Sequence, residues 1–218
     1  WSRVKRVLAL QHVELRVLEV ELDAVARSVA CAVARSCGES VTHLTPHNLW
    51  SWVADDPGVQ KILDAQGCID WVFCGFACQD VSTAHACGAG LRGIKSSVYF
   101  AAREILRIVT QMYPGVDFTF ECTDFSKKHP RDWKFVAEDL GVNAVLLDAA
   151  LVAPCRRRRA FWSSFDFIPL ESREVSPKTC LYPHRFPIAK HTRKFPTVTA
   201  SGPASWAMSK CVVSRLPD

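Results

Sequence analysis

Several features that would assign this chain to a protein class at once are missing. Its 10 cysteines form no C-x-x-C pair, which argues against a zinc-binding module. They also do not follow the regular framework of a small disulfide-rich secreted domain. The chain has no low-complexity tract, internal repeat or signal peptide, and no apolar run approaching about 18 residues. The composition therefore predicts a soluble intracellular protein with reduced thiols, no metal site and no membrane contact.

The charge of the chain is mild in total but unevenly distributed. Lysine and arginine number 27 against 22 acids, a net charge of +5. Four consecutive arginines occupy Arg156–Arg159, and the segment Lys178–Lys194 contains Arg185, Lys190 and Arg193. Such clusters suit a polyanionic partner, and a solvated surface is the alternative interpretation.

Apolar periodicity divides most of the chain into alternating strands and helices. We predict helices over Ser2–Val13, Ala24–Arg35, Pro57–Ala65, Ser96–Met112 and Pro130–Leu140. We predict strands over Leu15–Glu21, Val41–Leu44, Ile69–Phe73, Val116–Glu121 and Val142–Leu147, with a further strand beginning at Ala160.

This alternation predicts the α/β class, with a doubly wound, mostly parallel sheet of the Rossmann-like kind. Residues 1–162 would form that core. From residue 163 the periodicity is lost, and six prolines lie between Pro169 and Pro203. We therefore expect a small irregular recognition segment over residues 163–196, followed by a return to the core over residues 197–218.

Polar side chains follow several predicted strands where those strands end. Glu21 ends the first strand, Cys78 lies on the loop after the Trp-containing strand, and Glu121 ends a later one. Open α/β sheets bind ligands outside the carboxyl ends of their strands, so we expect these three residues to converge. Arg157 and Arg159, which alternate along an extended segment, could reach the same crevice.

A thiol, a carboxyl group and two guanidinium groups fit chemistry on an electron-poor ring. A thiolate can add to a ring carbon, a carboxylic acid can engage a ring nitrogen, and arginines can hold a phosphate or carbonyl. Each residue also has a simpler interpretation. Cys78 could be a packing residue, Glu121 the partner of a neighbouring base, and the arginines surface charges. Glu21 could cap the next helix, or Glu19 could be the acid at that strand end.

Five stretches of the chain, in order and at matching spacing, resemble motifs of the DNA cytosine-5 methyltransferases, most closely the eukaryotic de novo class. Gly75–Ser82 with Gly88–Ser97 resembles the catalytic Gly-Phe-Pro-Cys-Gln-Asp-x-Ser loop and its Gly-Leu-x-Gly-x-Arg-Ser continuation. The other four are Glu21–Asp23 (acid-x-Asp), Phe120–Thr123 (Phe-Glu-Asn-Val), Arg157–Trp162 (Arg-x-Arg-x-Phe) and Thr197–Thr199 (Thr-x-Thr).

The resemblance implies an enzyme that methylates carbon 5 of a cytosine flipped out of double-stranded DNA. Cys78 would attack carbon 6, Glu121 would engage ring nitrogen 3, and Arg157 and Arg159 would orient the base and its phosphate. The methyl donor would be S-adenosyl-L-methionine, bound by Glu21, Leu22, Asn48, Ala77 and Val98. Gln79, Ser82, Lys95, Arg185 and Lys190 would contact the DNA. A nuclear location, and assembly with a second methyltransferase subunit, are also implied.

The chain departs from the family pattern in its cofactor-binding half. Residues 1–37 contain no glycine, so the glycine-rich cofactor loop is absent and we expect the chain to be a fragment that begins just after it. Ala77 replaces a proline, and Cys122-Thr123 replaces Asn-Val. One alternative is a catalytically inactive homologue that binds DNA as a regulatory subunit. Another is a tRNA cytosine methyltransferase.

Overall fold

The computed structural model of the protein describes residues 16–36, 41–83, 86–153 and 155–167. Its described residues form two compact units. The first contains the residues up to Asp70 together with Ser97–Val116, and the second contains Trp71–Ser96 and the residues from Asp117 onward. The predicted helix Ser2–Val13 and the segment 197–218 lie outside the described residues, as does the recognition segment 163–196 beyond Phe167.

The first unit is a short parallel strand pair with four helices. Strand β1 (Leu18–Glu19) pairs with β2 (Thr42–His43). The helices are α1 (Ala24–Ser36), α2 (Leu49–Ala54), α3 (Asp56–Asp64) and α4 (Val98–Met112).

Helix α4 is the apolar centre of the first unit, because apolar side chains recur along it at helical spacing. Tyr99, Leu106 and Val109 are all buried, and Trp52 of α2 is 1% exposed. No helix in the described part of the chain is long and apolar enough to span a membrane.

The second unit is a four-stranded mixed sheet with the strand order β3-β4-β6-β5. Its strands are β3 (Trp71–Gly75), β4 (Asp117–Thr123), β5 (Val145–Asp148) and β6 (Arg158–Ser163), and its helix α5 is Pro130–Leu140. Strands β3 and β4 are parallel, whereas β6 is antiparallel to both β4 and β5. The carboxyl ends of β3, β4 and β5 therefore share one edge of the sheet with the amino end of β6.

An aromatic cluster forms the core beneath that edge. Trp162 of β6 is fully buried. Its ring centroid lies 4.9 Å from that of Trp133 on α5, 5.9 Å from Phe125 and 6.2 Å from Phe76. Phe76 directly follows β3 and Phe125 closely follows β4, so the cluster fixes the chain where it leaves both strands.

The predicted α/β class is confirmed. Three of the four strands in the second unit run in the same direction and β6 is reversed, so this sheet is mixed, and the doubly wound arrangement stays a prediction. The short connection over residues 149–157 explains the reversal, because a parallel crossover needs a dozen or more residues whereas an antiparallel return does not. Helix α2 was not predicted, and β1 and β2 are shorter than the predicted strands. The bounds of α5 are as predicted, and the other elements are shifted by one to three residues.

Candidate active site

The loop after β3 carries Cys78 in a tight turn. The carbonyl oxygen of Cys78 accepts hydrogen bonds from the backbone N–H groups of Val81, at 3.2 Å, and Ser82, at 2.7 Å. Val81 is fully buried and anchors the turn in the core. The Cys78 residue itself is half-buried, and its backbone is fixed by this turn.

Asp80 and Ser96 hold this loop together through hydrogen bonds to its backbone. The sequence motifs did not predict this role for either residue. The Asp80 carboxylate accepts the backbone N–H groups of Lys95, at 2.8 Å, and Ser96, at 3.0 Å. The fully buried Ser96 hydroxyl donates to the Ala77 carbonyl at 2.8 Å and accepts the Asp80 N–H at 3.3 Å. A side chain at Gly93 would collide with the Asp80 carboxylate. Glycine at that position is the sequence signal for this close approach.

Glu121 and Arg159 form an ion pair across β4 and β6. Thr123 is the direct partner of Arg159, so Glu121, two residues earlier, is its diagonal neighbour on the same face. Arg159 Nε lies 2.8 Å from Glu121 Oε1, and the two side chains are 18% and 22% exposed. The predicted meeting of a carboxylate and a guanidinium at this edge is thus present in the structure.

Two other cysteines flank this pair and are poor nucleophiles. Burial raises the pKa of Cys74 to about 12, and the Glu121 carboxylate adds to the shift. Burial, together with the nearby Cys78 and Glu121, also raises the pKa of Cys122 far above its usual range. Both side chains therefore remain neutral thiols at neutral pH. The backbone N–H of Phe76, two residues before Cys78, donates to the Glu121 carbonyl at 3.2 Å, so the Cys78 loop begins beside Glu121.

Arg157 is not brought to Glu121 in the same way as Arg159. It precedes β6 and is exposed. Its backbone N–H donates to Asp148 Oδ1 at 2.9 Å, and its guanidinium has no ion pair within the described residues. The neighbouring Arg158 pairs instead with Asp124, at 3.2 Å.

An open cleft of about 420 Å³ lies beside the pair at the same edge. Its lining residues are Thr83, Thr123, Asp124, Lys127, Asp148, Arg156, Arg158 and Arg159. Four of them are cations and two are carboxylates, so the cleft is electropositive and suits an anion. The Cys78, Glu121 and Arg157 side chains do not line it.

Asp148 forms one wall of this cleft and stays ionised. Burial acts to raise its pKa, but the backbone N–H groups of Ala150 and Arg157, with the charges of Arg156 and Arg158, outweigh burial and lower it. The Asp148 carboxylate accepts those N–H groups at 3.0 and 2.9 Å. It thereby fixes the turn that leads from β5 to the arginine run.

The predicted cofactor residues are divided between the two units. Ala77 belongs to the second unit, whereas Glu21, Leu22, Asn48 and Val98 belong to the first. Leu22 is strongly exposed, and Val98 begins α4.

Two of these residues have local structural roles. Glu21 Oε1 accepts the Asp23 N–H at 2.8 Å. Asp23, rather than Glu21, caps α1, since Asp23 Oδ1 accepts the Val25 N–H at 2.7 Å. Asn48 is the N-cap of α2, where its side-chain oxygen accepts the Trp50 N–H at 3.0 Å.

The predicted DNA contacts fall partly within the described residues. Gln79 and Lys95 are exposed on the loop between β3 and α4. Ser82 is half-buried, and its carbonyl oxygen accepts a hydrogen bond from Lys128 Nζ at 2.7 Å. Arg185 and Lys190 lie outside the described residues, so their contact with DNA stays a prediction.

No protein-family model matches this chain, and no curated protein matches it. Within the described ranges, no group of three or more His, Cys, Asp or Glu side chains has the arrangement of a metal site.

Proposed function

We propose that this chain is the catalytic region of a DNA cytosine-5 methyltransferase with a Rossmann-like, doubly wound core. The observation that carries the proposal is the Glu121–Arg159 ion pair of 2.8 Å, at the edge of the sheet from which the Cys78 loop departs. Structural packing does not require a paired carboxylate and guanidinium beside a constrained thiol. The sequence resemblance supplies the substrate class, and the local geometry supports the roles.

Cys78 would be the nucleophile. Its thiol loses a proton and its sulfur adds to carbon 6 of the flipped cytosine, which raises the electron density at carbon 5. Its neighbours Cys74 and Cys122 stay protonated because their pKa values are raised, so neither competes with it. Loss of the carbon 5 proton after methylation would restore the ring and release Cys78.

Glu121 would hold ring nitrogen 3 as negative charge develops in the ring. Its Oε1 faces Arg159, which leaves Oε2 for the base. Arg159 therefore orients the carboxylate and keeps positive charge close to the reacting ring. Arg157, exposed at the start of the same segment, would hold a phosphate of the target nucleotide.

S-adenosyl-L-methionine, when bound, would supply an electrophilic methyl group to carbon 5. The first-unit residues retain the acceptors that its adenosine half needs. Glu21 uses one carboxylate oxygen on the Asp23 N–H and keeps the other for ribose hydroxyls. Asn48 uses one lone pair of its oxygen in the α2 cap and keeps a second for the adenine amino group.

Double-stranded DNA would be the partner that the electropositive edge receives, with Gln79, Ser82 and Lys95 along the strand. A nuclear location and a second methyltransferase subunit belong to the same proposal.

Covalent trapping tests the nucleophile. The full-length protein is mixed with S-adenosyl-L-methionine and duplex DNA containing 5-fluorocytosine, whose carbon 5 fluorine blocks the release step. We expect a denaturation-resistant DNA adduct with the unchanged protein and with Cys68→Ala, since Cys68 is exposed in the other unit. We expect no adduct with Cys78→Ala. An adduct that persists in Cys78→Ala would overturn the assignment.

Titration calorimetry distinguishes an active enzyme from the alternative, an inactive regulatory homologue. Heat of binding on addition of S-adenosyl-L-methionine to the full-length protein supports an enzyme. DNA binding without cofactor binding or trapping supports the regulatory subunit instead.

A further inference from the structure

A second thiol, Cys31, lies at one end of a row of three closely spaced polar side chains in the first unit. Cys31 is on α1, and its Sγ lies 3.1 Å from His43 Nε2. The other ring nitrogen, His43 Nδ1, lies 2.9 Å from Glu19 Oε2. The order of groups is therefore thiol, imidazole and carboxylate.

The backbone explains why these three groups meet. Glu19 of β1 and His43 of β2 are direct partners in the parallel pair, and directly paired residues project from the same face of a sheet. Cys31 lies one turn before Ala34, the buried residue of α1, so it belongs to the inward face of that helix. The contact thus follows from the strand register and the helix phase.

The carboxylate defines the state of the imidazole. Both His43 Nδ1 and Glu19 Oε2 are shielded from solvent, and they lie 2.9 Å apart although neither makes a hydrogen bond of good geometry to any described group. A proton on Nδ1, facing this carboxylate, would leave Nε2 as an acceptor for the thiol proton. A nucleophile, a base and a group that orients the base are the parts of an activated thiol.

The other accessible thiols lack this arrangement. Cys68 and Cys87 are more exposed than Cys31, but no imidazole of the described residues hydrogen-bonds to either. Exposure and base assistance therefore predict opposite orders of reactivity, and an experiment can decide between them.

We propose that Cys31 is a site of reversible modification by small disulfides, independent of the methyltransferase proposal. The Cys31 thiol gives its proton to His43 Nε2, and its sulfur attacks one sulfur of the disulfide. The disulfide bond breaks as the new sulfur–sulfur bond forms. The departing thiolate takes the proton back from His43. The products are a mixed disulfide on Cys31 and one free thiol.

The test measures the modification rate of individual cysteines. The reduced full-length protein is incubated with the disulfide of 2-mercaptoethanol, a small neutral reagent, and peptides are mapped by mass spectrometry over time. A positioned base typically contributes about 100-fold or more, and the lower exposure of Cys31 offsets part of that gain. We therefore expect Cys31 to react faster than Cys68 by about 10-fold or more. Equal or slower reaction at Cys31 would show that exposure alone governs reactivity and would overturn the proposal.

Two variants test the assignment of the base. His43→Asn is expected to slow Cys31 by about 10-fold and Glu19→Gln by a smaller factor, with Cys68 unchanged in both. An unchanged Cys31 rate in folded His43→Asn refutes the role of the imidazole. Reaction of the buried Cys122 would show that this variant does not fold. In that case, the comparison of Cys31 with Cys68 in the unchanged protein still decides whether Cys31 is activated.

Discussion

The ion pair between Glu121 and Arg159 should contribute to the stability of the protein. Substitution of Arg159 tests this, and the same substitution at the adjacent Arg158 serves as a control. Arg159→Met keeps most of the apolar stem but removes the guanidinium, and the Glu121 carboxylate, 22% exposed, loses its partner. Removing one partner of a buried pair costs about 3–5 kcal/mol, whereas exposed pairs contribute about 0.2–1 kcal/mol. Since both side chains are about one-fifth exposed, we expect the free energy of unfolding to fall by about 2–3 kcal/mol, between these two limits.

Arg158→Met is the matched control. Arg158 also pairs with a carboxylate, that of Asp124 at 3.2 Å, but its own side chain is 57% exposed. Asp124 is 18% exposed and keeps the hydrogen bonds that its Oδ1 accepts from the Ser126 N–H and hydroxyl, so it is not left without a partner. Arg158→Met should therefore lower the free energy of unfolding by less than about 1 kcal/mol. The two substitutions differ by one position in β6, so strand propensity and side-chain size cancel in the comparison.

The assay is urea unfolding of the full-length protein, followed by tryptophan fluorescence, because Trp162 lies fully buried in the same strand. A double variant with Glu121→Gln added to Arg159→Met should recover about 1 kcal/mol or more, because no charged group is then left unpaired. Equal losses for the two arginine variants, or strict additivity in the double variant, would refute the reasoning.

The loop and the cleft give two further predictions. The pKa of Asp148 is lowered in the folded protein, so its stabilising effect is present above the unfolded pKa, near about 4, and is lost as pH falls through the folded value. Asp148→Asn should therefore flatten the acid side of a stability–pH profile; an unchanged slope contradicts this. Asp80→Ala should speed amide hydrogen exchange at Lys95 and Ser96, whose N–H groups it accepts, by about 10-fold. Unchanged exchange there would show that other contacts hold the loop.

The sequence predicted most of what depends on local periodicity. Helix α5 begins at Pro130, a residue suited to a first helical turn, and ends before Gly141, which has a left-handed backbone with φ of +70°. Both signals are local, and the predicted bounds are the observed ones. Helix α2 was missed because it spans only six residues, Leu49–Ala54. Its N-cap, Asn48, is also one of the residues predicted to bind the cofactor.

Side-chain partnerships between distant segments were harder to predict. Cys31, His43 and Glu19 come from three elements, and their contact depends on the register of β1 against β2. Nothing in the spacing of these residues reveals that register. The roles of Asp80 and Ser96 in the loop likewise depend on contacts 15 and 16 residues apart, although the glycine at Gly93 marks a close approach.

The direction of β6 explains how Arg159 meets Glu121. In an all-parallel sheet, the amino end of a strand lies at the edge opposite the ligand-binding crevice. An arginine run at the start of such a strand would point away from Cys78. Because β6 runs antiparallel to β4, its amino end lies at the same edge as the carboxyl end of β4. Arg159 reaches Glu121 because β6 is reversed, and the reversed strand thereby brings a guanidinium to the edge from which the Cys78 loop departs.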